Sequence, residues 1–65
     1  SMIGKNLEIL LEEEVELQGK AYYLGHSREY VKVAVEKTES LKVNDLLTVK
    51  ITGFTEEHIL GGELV

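Results

Sequence analysis

The chain contains no cysteine. This excludes a disulfide framework, a thiolate metal site and a cysteine-held iron–sulfur cluster within it, and it fits a reducing cytoplasm. No apolar run reaches the roughly 18 residues of a membrane span, and there is no signal peptide, so no membrane partner is expected. Basic residues are few: seven lysines and arginines stand against twelve acids, for a net charge of −5. A free-standing nucleic-acid binder is usually basic. The glycines are scattered and none precedes a helix, which excludes a phosphate loop. His26 and His58 are the only histidines. Each has acids nearby, Glu29 for the first and Glu56 and Glu57 for the second, but neither has zinc-ligand spacing, so no metal is expected. Ser27 beside His26 is not a nucleophile–base pair, because adjacent strand residues point apart. Glu63 reads as a rim charge rather than an acid catalyst. No residue is assigned a catalytic role, no cofactor is assigned to this chain, and by itself it is not read as an enzyme.

What is present is enough for one small domain. Its 65 residues lie near the lower limit for unaided folding, where a core rarely supplies more than ~3–5 kcal/mol. Ser1 before Met2 reads as a scar of tag removal, leaving residues 3–65 as the domain, a monomer and a piece of something larger. Net charge is a sum, and binding depends on where the charges lie. Glu8, Glu12, Glu13, Glu14 and Glu16 cluster early, and Glu56 and Glu57 late. Between Gly19 and Val35, Lys20, Arg28 and Lys32 face Glu29 alone, so the middle of the chain is locally basic. This permits RNA binding without demanding it.

Period-two alternation recurs along the chain and predicts strands. Lys5 to Glu13 reads as the first, with Leu7, Ile9 and Leu11 on one side and Asn6, Glu8 and Glu12 mostly on the other. Leu10 breaks the pattern, which implies cover on both faces or a bulge. Glu12-Glu13-Glu14 reads as a solvated rim that resists edge pairing, with a helix fragment as the alternative; extended chain continues through Val15 and Leu17. Gln18-Gly19 suits a tight hairpin. Lys20 to His26 is the return strand, with Tyr22 and Leu24 on one side, Ala21 and Tyr23 on the other, and the outward side undecided. Gly25 marks a bulge or a close backbone approach. The third strand is Tyr30 to Glu36. Lys37 to Asp45 is a polar loop with room for one helical turn, and Leu41 and Val43 are candidates to plug the end of a barrel. Leu46 to Thr52 is the fourth strand, with Leu47, Val49 and Ile51 inward and Thr48, Lys50 and Thr52 outward. Gly53 ends it and Phe54-Thr55-Glu56-Glu57 turns. His58 to Leu64 is the fifth, bent sharply at Gly61-Gly62. Five short strands without a convincing helix predict an all-β fold, a small five-stranded antiparallel barrel, since closure removes exposed edges.

The chemistry concentrates in Tyr22 to Val35, which holds all three tyrosines and the only arginine. Val31, Val33 and Val35 point one way; Tyr30, Lys32 and Ala34 point the other. An aromatic and a cation on one sheet face, beside a turn carrying Arg28, can stack bases and hold phosphates. The competing reading is that Tyr30 and Lys32 are ordinary strand residues facing water, because β-propensity alone enriches tyrosine. If the third and fourth strands are neighbours, Tyr30, Lys32, Thr48 and Lys50 form one patch.

Ile3-Gly4-Lys5, Leu7 to Glu13, Gly25-His26-Ser27-Arg28-Glu29-Tyr30-Val31-Lys32-Val33, Leu47 to Thr52 and Leu60-Gly61-Gly62-Glu63-Leu64 together resemble the TRAM domain, over nearly the whole chain and in order. The wording is most similar to the domain ending the radical-SAM tRNA methylthiotransferases, and within them to the branch acting on N6-threonylcarbamoyladenosine beside the anticodon. The resemblance implies an OB-like barrel and a cytoplasmic tRNA-binding appendage. It also implies a parent transferase that holds an iron–sulfur cluster and S-adenosylmethionine elsewhere. The partners would be the anticodon stem-loop and the parent catalytic domain. Arg28, Lys32 and Lys50, joined by Lys20, would neutralise phosphates; Tyr30 and one of Tyr22 or Tyr23 would stack, with His26 beside them. A second reading, from a different class, is a protein-interaction or intramolecular regulatory barrel that docks by its acidic rim onto the parent catalytic domain.

Overall fold

Strands with one apolar and one polar face bury the apolar face most economically by rolling into a barrel. The computed structural model, which describes residues 2–56 and 58–65, does this with five strands: β1 (Asn6–Leu17), β2 (Lys20–His26), β3 (Lys32–Glu36), β4 (Leu46–Glu56) and β5 (Ile59–Leu64). Ser1 and Glu57, expected as part of a scar and of the turn after the fourth strand, lie outside the described residues. Among the described residues there is no helix. The strands close in the order β1-β2-β3-β5-β4, with β1 paired to both β2 and β4.

The barrel is not antiparallel throughout. β3 and β5 run parallel, with Val33 opposite Leu60 and Val35 opposite Gly62, while the other four pairs are antiparallel. The reason is parity. Directions cannot alternate all the way round a ring with an odd number of strands, so one seam must be parallel.

The inward residues follow the alternation. Ile9, Leu11, Val33, Val35, Val49, Ile51 and Leu60 form the core with Tyr23 and Leu41, and Leu7, Val31 and Leu47 pack against it. Each fully buried Ile, Leu or Val contributes roughly 1.5–3 kcal/mol. Leu41 plugs the barrel as expected, but Val43 does not; it is exposed. Ala34, expected outward, is buried, because its methyl lies between Leu24 and Gly61 on the flanking strands and does not rise past them. The loop 37–45 makes turns rather than a helical turn, closed by Leu41 N–H to Thr38 O and Asp45 N–H to Lys42 O, both 3.2 Å.

The expected continuation of β1 through Val15 and Leu17 and the expected bulge are present, while β3, β4 and β5 have bounds that differ from expectation. β1 runs on to Leu17 with a bulge between Leu11 and Glu13, and Leu10 is left exposed on the outer face rather than covered. β3 begins at Lys32, since Tyr30 has a φ of 64° and cannot sit in a ladder. β4 passes through Gly53 to Glu56, because bulges between Ile51 and Gly53 and between Phe54 and Glu56 absorb the misfit with β5. β5 accordingly starts at Ile59 rather than His58. The Gln18-Gly19 turn is present, with both φ angles positive at 52° and 82°. Its tip is tied to the far end of β4 by Gln18 Nε2 donating to Thr55 O at 3.1 Å. Lys37 braces the same hairpin through Glu14 at 3.0 Å. The Glu14 carboxylate, as hydrogen-bond partner and as opposite charge, holds the Lys37 amine above the ordinary lysine value. That contribution is small in an exposed pair. It is present through neutral pH and lost only as pH rises past the raised lysine value.

β1 can serve two partners only because its backbone passes very close to β2 at Gly25. A Cβ built there would lie 2.2 Å from the Leu10 carbonyl oxygen. Gly25→Ala therefore forces two backbones apart and is expected to cost at least ~1–3 kcal/mol, the usual range for overpacking. Thermal denaturation followed by circular dichroism should show a midpoint lower by several degrees; an unchanged midpoint would mean the strands separate freely at this crossing.

Candidate nucleic-acid interface

The turn joining β2 to β3 is built by Ser27. Its hydroxyl accepts from Glu29 N–H at 3.3 Å and Val31 N–H at 3.2 Å. Its backbone N–H donates to Val31 O and its carbonyl accepts from Tyr30 N–H. Ser27 is buried to do so, and this is why it serves architecture rather than chemistry. The turn closes only if one residue adopts left-handed backbone, a conformation suited to glycine or asparagine. Here Tyr30 occupies it.

The result is a ring held out in water. Tyr30 is 83% exposed, and among the described residues its one ring contact is edge-to-face with His26, with centroids 5.9 Å apart and planes at 88°. Gln18, Asn44 and His58 also have positive φ, but Tyr30 is the one that holds a large aromatic ring there, barely packed. Arg28 stands in the same turn. Lys32, the first residue of β3, is opposite His26 across the ladder. His26 Nδ1 contacts Glu12 Oε1.

Four of the expected residues are thus brought together: His26, Arg28, Tyr30 and Lys32. The other four are not. Tyr23 faces inward and is 7% exposed, so it belongs to the core and cannot stack on a ligand. Tyr22 is half-buried on the outer face, four residues from His26, about 13 Å along an extended strand. Lys20 starts β2 at the opposite end, about 20 Å from His26, and lies 3.9 Å from Glu36. Lys50 is separated from β3 by β5, between Asn6 and Glu63. The single patch joining Tyr30 and Lys32 to Thr48 and Lys50 does not form, since β3 and β4 are not neighbours.

The structure also adds residues. A shallow groove of about 340 Å³ runs beside Tyr30 and is lined by Glu8, Leu10, Glu12, Arg28 and Leu46, together with His26 and Ser27. Leu10 was detectable as the break in the alternation of β1. Leu46 was detectable as the outward neighbour of the inward Leu47. What joins them is the register of β1 against β4, which pairs Leu10 directly with Leu46. Among the described residues there is no group of three or more His, Cys, Asp and Glu side chains that could hold a metal. Nor is any helix there long and apolar enough to cross a membrane. Comparison with family models, curated proteins and solved structures finds no match for this chain.

If the Tyr30 backbone is strained, Tyr30→Asn should relieve ~1 kcal/mol, less whatever the ring gains against His26. The melting midpoint should rise by a few degrees. A fall would show that the ring's packing outweighs the backbone cost and that Tyr30 is a structural residue.

Proposed function

We propose that this chain is an RNA-binding barrel of the OB-like, TRAM kind, the accessory domain of a tRNA-modifying enzyme, and that it grips an anticodon stem-loop through the β2–β3 turn. The observation that carries this reading is the exposed Tyr30 ring, set in left-handed backbone between Arg28 and Lys32. Stacking on an aromatic is worth roughly 1–3 kcal/mol per base and works best on an accessible, preset ring. Arg28 offers a planar fork for phosphate and Lys32 a point charge. His26 supports the Tyr30 ring from the side. The OB-like description is supported by the strand order and by a bulged β1 shared between β2 and β4. The sequence resemblance supplies the rest: a parent radical-SAM methylthiotransferase with its own iron–sulfur cluster and S-adenosylmethionine, acting on N6-threonylcarbamoyladenosine beside the anticodon. In this reading the barrel binds and orients, and chemistry belongs to the parent. Lys20 and Lys50 supply only diffuse charge.

The test is fluorescence anisotropy with a labelled anticodon stem-loop RNA at low and physiological salt. Tyr30→Asn should weaken binding by ~1–3 kcal/mol, about 5- to 150-fold, without loss of fold. Arg28→Ala and Lys32→Ala should each weaken binding to all sequences alike and reduce the salt slope by about 1. The absence of saturable binding at low salt, or affinities unmoved by all three substitutions, would sink the proposal.

A further inference from the structure

The His26–Tyr30 pair has a second side with different chemistry. Leu10 and Leu46 lie side by side across β1 and β4 on the outer face, 42% and 61% exposed. Apolar surface left paired and open on a barrel exterior gains nothing within the chain and is available to a partner. Glu8 and Glu12 flank Leu10 along β1 and line the same groove, as do Arg28 and Tyr30. Two carboxylates next to the apolar floor repel phosphates. The acids therefore argue against extending the nucleic-acid site across His26, and they favour a cationic occupant.

We propose that the Leu10–Leu46 groove is a protein-docking site for a segment in which apolar side chains are flanked by lysine or arginine. The leucines receive the apolar side chains, and Glu8, joined by Glu12 beside its contact with His26, pairs with the flanking cations. Charge complementarity sets the partner's chemistry, because opposite potentials steer encounter and reject wrong partners. The proposal does not rest on the RNA reading. Arg28 and Tyr30 form the boundary between a cationic side, with Lys32, and an acidic side, with Glu8 and Glu12.

The experiment is an amide-shift NMR titration of the whole chain with two capped pentapeptides, one alternating lysine with leucine and one alternating glutamate with leucine. The lysine–leucine peptide is expected to shift Glu8 through Glu12 and Leu46, and the glutamate–leucine peptide to leave them unmoved. Leu46→Ser, which removes the apolar side chain without adding charge, should weaken the first peptide at least about tenfold, the loss expected when one leucine no longer buries its surface. The double variant Glu8→Lys, Glu12→Lys should transfer binding to the glutamate–leucine peptide. Three results would overturn the proposal: no shifts in this groove with either peptide, equal affinity after Leu46→Ser, or shifts at Leu10 and Leu46 produced by a stem-loop RNA and not by the lysine–leucine peptide.

Discussion

The close passage of β1 over β2 at Gly25 is the contact on which the rest of the barrel depends. β1 must pair with β4 through Asn6 to Leu10 and with β2 from Leu10 onward. A straight strand cannot face both partners on one closed surface. The bulge at Glu12 bends it, and the missing side chain at Gly25 lets the Leu10 carbonyl settle where a Cβ would stand. The loop before β4 then locks the bend: Leu11 N–H donates to Asp45 O and Leu11 O accepts from Asn44 N–H, at 2.9 and 2.8 Å. With so small a core, closure of the backbone ladder matters as much as apolar burial.

The surface follows from that crossing. Alternation between the inward Ile9 and Leu11 leaves Leu10 outward, and the register of β1 against β4 sets Leu46 against it. On the other side the β2–β3 turn rises beside His26 and carries Arg28 and Tyr30. A net charge of −5 describes neither side well. Glu8 and Glu12 of β1 line the groove together with Arg28 of the turn, and Lys32 of β3 stands opposite His26. One small barrel thus sets the cations Arg28 and Lys32 close to the carboxylates of Glu8 and Glu12.

Much of this was readable in the chain. The alternation of Val31, Val33 and Val35, and of Leu47, Val49 and Ile51, assigned the core faces of β3 and β4, because a side-chain period of two leaves an apolar set one place to go. Gln18-Gly19 announced its turn, and Gly25 its close approach. Tyr30 was harder. It continues the alternation of β3 perfectly, yet it sits outside the strand in left-handed backbone. The bonds responsible run from Ser27 to residues two to four positions on, and alternation does not register them. Tyr22 and Tyr23 could not be told apart, because Ala21 to Leu24 offers an apolar residue to both faces; pairing of Tyr23 with the inward Val35 decides it.

The amino-acid order by itself determined where five strands lie, to within a few residues at their ends, and which face of most of them is apolar. Those are local properties, set by side-chain period and turn chemistry. Only the tertiary structure decided where the parallel seam falls, that β5 separates β3 from β4, and hence that Lys50 and Lys20 stand apart from Tyr30 while Leu10, Leu46, Glu8 and Glu12 stand beside it. Neighbourhood on a barrel surface depends on strand order and register, which are long-range pairings, and no short stretch of sequence contains both partners of such a pair.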